Sequence, residues 1–169
     1  ALAGDGQSTS GFGHNQCGGA DCFVAGVLAD ANINGFFNND AGLDPARLVT
    51  CLERQVSQAT GGPEVYDHAN NVVETALVSG ADVNQCRDMV SVHTNLTADG
   101  TAGGEKITKA DFDSLEGDLV ATLTALGVDA GDITSIADAL NHDVSVAGIS
   151  ANGLCKDVVQ VDPQSCPAP

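Results

Sequence analysis

The feature that most constrains this chain is an apolar stripe at helical spacing. Phe112, Leu115, Leu119, Leu123 and Leu126 recur at intervals of three or four residues, which puts them on one face of an α-helix and fits no strand. Thr108-x-x-Asp111 ahead of the stripe reads as a capping box, and Gly127 behind it reads as a stop. A second stripe, Leu48, Leu52, Val56 and Ala59, opens with Asp44 as N-cap and Pro45 at the first helical position. Gly61-Gly62-Pro63 closes it. Ile133, Ile136, Ala137, Leu140 and Val144 predict a last amphipathic helix opened by Asp132.

The remaining text gives shorter elements. Phe23, Val24, Val27 and Leu28 predict a helix ending near Asn32, followed by a corner with Phe36 and Phe37. Val72, Val73, Ala76 and Leu77 suggest a short helix, and Asp82 can cap another that brings Met89, Val92 and His93 together. Every coherent pattern is helical, so the expected fold class is all-α. Residues 1–16 are rich in Gly, Ser and Asn and predict a flexible arm. A helical domain over 17–150 and a tail over 151–169 complete the expected organisation.

Charge and composition limit the function. Six Lys+Arg against 23 Asp+Glu give a net charge of −17, a surface that repels nucleic acid and anionic lipid. No apolar run approaches the ~18 residues of a membrane span. The 43% hydrophobic content suits a globular core, yet aromatics amount to five Phe, one Tyr and no Trp. Such a core must be built from small aliphatic side chains.

Cys17, Cys22, Cys51, Cys86, Cys155 and Cys166 form an even set spread along the chain without a C-x-x-C pair. That pattern predicts disulfides in an exported protein and leaves 15 pairings open. The opening Ala-Leu-Ala-Gly-Asp resembles an end left by signal removal. Secretion is the expected localisation.

Sequence motifs for catalysis are few. G-x-S-x-G, P-loop and H-E-x-x-H patterns do not occur. In DGTAGGEKITKADF an EF-hand register puts Gly100 first and Glu105 sixth, so oxygen ligands and glycine fall in the wrong places. A Cys–His or carboxylate pair remains as a weak hydrolase reading. Of the four histidines, His14, His68 and His142 lie near loops or ends, whereas His93 stands beside Val92 and one turn after Met89. An isolated imidazole in apolar surroundings is either a hydrogen-bonded structural group or the single axial ligand that haem iron takes.

The flanking text favours the second use. VLADANINGFF (27–37) resembles the B helix and corner of the group I truncated haemoglobins, the two-over-two globins. ARL (46–48) and QATGGPEVY (58–66) resemble the start and end of that family's E helix. MVSVH (89–93) resembles the segment ending in the proximal histidine, ITKADFDSLEGDLVATLTALGV (107–128) the G helix and 132–146 the H helix. The likeness runs in order over residues 23–146. It implies a truncated globin fold with disulfide-tethered termini and with insertions between Tyr66 and Met89 and between Asn95 and Ile107.

By this resemblance, His93 is the metal ligand of haem b, with Val24, Phe37, Leu48, Leu52, Met89, Phe112 and Leu115 around the cofactor. Haem c is not implied, because C-x-x-C-H is absent. Val24 stands where the family carries a distal tyrosine, and Leu48 and Leu52 occupy the distal E-helix positions. No side-chain donor is then expected for bound dioxygen, a loss of about 1–3 kcal/mol, and carbon monoxide or nitric oxide is favoured. His68 and His14 are the candidates for a sixth ligand. The implied role is extracellular binding of a diatomic gas, or electron exchange with a redox partner, rather than enzymatic turnover. The alternative is a structural subunit of an extracellular homo-oligomer or filament, joined through the N-terminal arm and cysteines.

Overall fold

The computed structural model describes residues 23–40, 43–63, 66, 86–87, 89–142, 149 and 152–167. The arm, Cys17, Cys22, His14, His68, the Val72–Leu77 helix, the Asp82 cap and Val144 lie outside the described residues. So does the side chain of His142. The described chain is helical, and its sole β feature is an isolated antiparallel bridge between Thr97 and Lys106.

The helices are α1 (Phe23–Ala29), α2 (Asn34–Asn38), α3 (Pro45–Ala59), α4 (Met89–His93), α5 (Lys109–Ala125), α6 (Ala130–His142) and α7 (Leu154–Val158). A 3₁₀ turn, Pro163–Ser165, follows. None of the described helices is long and apolar enough to cross a membrane.

Local chemistry sets the ends of the long helices. Asp44 accepts the Arg47 backbone N–H at 3.3 Å, and Pro45 opens α3 as its N-cap chemistry predicts. The box at α5 is complete: Thr108 accepts from the Asp111 N–H, and Asp111 accepts from the Thr108 N–H at 2.7 Å. Gly127 then turns the chain at φ +75°, and the Val128 N–H returns to the Leu123 carbonyl at 3.0 Å.

Three expectations shift. The first helix is two turns, Phe23–Ala29, and the corner phenylalanines belong to a separate short helix. Asp30 breaks the run by accepting from the Asn32 backbone and side chain, each at 2.9 Å. At α6, Asp129 rather than Asp132 caps the start, accepting from the Gly131 N–H at 2.8 Å. Leu126 leaves the stripe: it is the C-cap of α5 and 45% exposed.

α1 packs on α2 and α5, α3 on α6, α5 on α6, and α7 on α4, α5 and α6. Phe23, Val27, Phe36, Val56, Phe112, Leu123 and Ile136 are buried in the shared core. Burial of each such side chain stabilises the fold by about 1.5–3 kcal/mol. Two disulfides, Cys51–Cys86 and Cys155–Cys166, tie the helices to later segments and fit an oxidising environment. These four cysteines are not thiol nucleophiles.

Candidate functional site

With α1, α2, α4 and α7, helix α3 borders an apolar cavity of about 150 Å³, smaller than the ~300–1,000 Å³ typical of small-molecule and cofactor sites. Val24, Phe37, Leu48, Leu52, Met89, Leu115 and His93 all line it. Phe112 does not; it faces a neighbouring cavity of about 60 Å³ with Val56, Leu119 and Leu123. Phe23, Leu52, Gln55, Leu115 and Leu154 border both spaces.

His93 ends α4 and is held at two points. Its Nδ1 lies 2.7 Å from the Met89 carbonyl one turn earlier, so Nδ1–H donates there and Nε2 keeps its lone pair. Burial pushes the imidazole below its ordinary 6.5, against opposing effects of the Met89 carbonyl, Asp40 and Asp157, while Arg87 adds to the lowering. The neutral ring is therefore the favoured form. Its carbonyl accepts from Gln160 Nε2, and Gln160 Oε1 accepts from the Ile107 N–H at 3.0 Å. The Gln160 N–H closes the clamp on the Ile107 carbonyl at 2.9 Å.

The polar part of the wall brings together two arginines, Arg47 and Arg87, and two carboxylates, Asp40 and Asp44. Arg47 (8% exposed) and Arg87 line the cavity, two of six Lys+Arg in a chain of net charge −17. Arg87 Nη1 donates to Asp40 at 3.0 Å, and the Arg87 carbonyl accepts from the Tyr66 hydroxyl at 2.5 Å. The Tyr66 N–H in turn donates to Gln58 on α3 at 2.8 Å. Together with Cys51–Cys86, this network fixes the 86–87 segment against α3.

Sequence reasoning missed Gln55, Arg47, Tyr66 and Gln160. Gln55 also lines the wall: it is 3% exposed, and its Nε2 finds no hydrogen-bond partner among the described residues. Spacing alone could have found it, since it follows Leu52 by three residues on one helical face. Gln160 had no such signal.

No group of three His, Cys, Asp or Glu side chains forms a metal site among the described residues. A metal held by His93 alone would need its other ligands from a cofactor. No family model, curated protein or solved structure matches this chain.

Proposed function

We propose that this chain is an extracellular two-over-two globin that binds haem b in the α3–α4 cavity through His93. The carrying observation is the tethered imidazole: Nδ1 is committed to the Met89 carbonyl, and the ring borders an apolar cavity. A ligating histidine needs such a partner to fix its tautomer and orientation. The packing of α1 on α5, α3 on α6 and α5 on α6 is compatible with a two-over-two arrangement.

The other residues suit this ligand class. Val24, Phe37, Leu48, Leu52, Met89 and Leu115 offer a flat, greasy guest a largely apolar wall. Haem supplies an iron with an open coordination position for diatomic gases and a one-electron couple. Leu154 and Val158 of α7 help exclude water from the cavity. The role we assign is gas binding or electron exchange with a redox partner.

Titration of the purified protein with haemin tests this reading. A stoichiometric Soret band for the native chain, lost in His93→Ala, is the expected result. No band, or an equal band in both proteins, refutes it.

A second reading, a covalently joined extracellular assembly, draws on the cysteine count. With Cys51–Cys86 and Cys155–Cys166 closed within the chain, Cys17 and Cys22 are the remaining candidates for a link between chains. Non-reducing electrophoresis tests it: a ladder lost in Cys17→Ser/Cys22→Ser supports the link, and a single band at one chain's mass removes it.

A further inference from the structure

We infer that the cavity beside His93 is a binding site for a single-ring phenol, whose hydroxyl donates to the imidazole Nε2. The inference stands apart from the haem reading, because it uses the cavity at the volume described. About 150 Å³ is the size at which a dry cavity lined by aliphatic and aromatic side chains takes up benzene. The wall here has that chemistry, with Phe36, Phe37, Leu48, Leu52 and Leu115 on it. A benzene-sized ring fills such a space, and a long acyl chain exceeds it.

What distinguishes this cavity from a bare apolar hole is the imidazole. With Nδ1–H committed to the Met89 carbonyl at 2.7 Å, the other ring nitrogen presents a lone pair. That Nε2 makes no hydrogen bond among the described residues and, unlike Gln55 Nε2, keeps accessible surface. Burial favours the neutral ring, so the lone pair is retained. An aromatic ring with one O–H group satisfies the acceptor and the wall together. A phenol hydroxyl, with a pKa of about 10, donates well and stays uncharged at neutral pH. A carboxylate offers this lone pair no proton and meets Asp40 and Asp44 on the same wall.

The test is a cycle on the full chain freed of any bound haem. Phenol and toluene, equal in heavy atoms, are titrated against native protein and His93→Phe, with affinity read from the rise in melting temperature. The His93 ring nitrogens are followed by ¹⁵N NMR in the native protein. Native protein binds phenol at millimolar concentration or below. The variant loses about tenfold more affinity for phenol than for toluene, and phenol but not toluene shifts the Nε2 resonance.

No binding of either ring at about 10 mM overturns the site. Equal losses for phenol and toluene, or an Nε2 resonance that phenol leaves in place, overturn the hydrogen bond and the inference with it. The NMR readout decides the matter even where His93→Phe does not fold. A chain that takes up haemin but no phenol refutes this inference alone, and one that binds phenol but refuses haemin refutes the haem reading alone.

Discussion

Removal of the Cys51–Cys86 disulfide by Cys51→Ala/Cys86→Ala should cost the protein more than the same removal of Cys155–Cys166. The bond joins residues 35 apart in sequence. Constraint of a loop of that length in the unfolded chain is worth about 3.8 kcal/mol at 25 °C by chain entropy. Cys155–Cys166 spans 11 residues, for which the same relation gives about 2.8 kcal/mol. At this chain length each kcal/mol shifts the melting temperature by about 2–4 °C, so the first variant should melt about 8–15 °C lower. The longer loop also anchors the wall: Cys51 lines the cavity, and Cys86 precedes Arg87, whose carbonyl receives the Tyr66 hydroxyl. Hydrogen exchange should therefore accelerate at Tyr66 and Arg87 as the melting temperature falls. Calorimetry and exchange on the two double variants decide the matter. A loss below about 1 kcal/mol, or a larger loss for the Cys155–Cys166 variant, would refute the loop-entropy argument.

The remaining predictions concern single side chains. Because burial holds the His93 imidazole below 6.5, the unfolded chain binds the proton more readily, and stability falls as pH drops from 6.5 through the lowered folded value. Urea unfolding between pH 7.5 and 5 should show a shallower fall for His93→Gln, and an identical slope would contradict this assignment. Gln160→Ala removes the side-chain clamp joining the His93 carbonyl to the Ile107 N–H, so it should cost about 1–3 kcal/mol, read as a lower urea midpoint. Asp118 is raised by burial and then by Asp30. Asp118→Asn should stabilise the fold at pH 7, with the advantage gone by pH 3, where both states carry the proton. A variant less stable than native at pH 7 would contradict that account.

How much was legible follows from the range of each interaction. α3 and α5 could be read because their signals are local: Asp44-Pro45, Thr108-x-x-Asp111 and Gly127 act within a turn of their own position. The fold class followed from those stripes. α7 could not be read. It has five residues, too few for a period, and packing buries Cys155, Val158 and Val159 around a disulfide. Gln160 acts on a residue 67 positions away, a separation at which no spacing rule operates. At α6 the reading chose Asp132, but the N–H to be capped was that of Gly131, within reach of Asp129. The site was legible to the extent that residues one helical turn apart share a wall, which holds for Leu48 with Leu52 and for Met89 with His93. Phe112 and Leu115 show the limit: both were placed on one guest, yet Phe112 borders only the adjoining space.

Two features of this fold work against its stability, and both lie on the same cavity wall. The Gln55 Nε2 is buried without an acceptor among the described residues, and the His93 ring is held against protonation. Singly, each has an ordinary structural explanation in a folded domain. A chain selected for stability alone has no reason to collect them, since apolar substitutes at 55 and 93 would fill the space at lower cost. Departures from local consistency concentrate where function requires them.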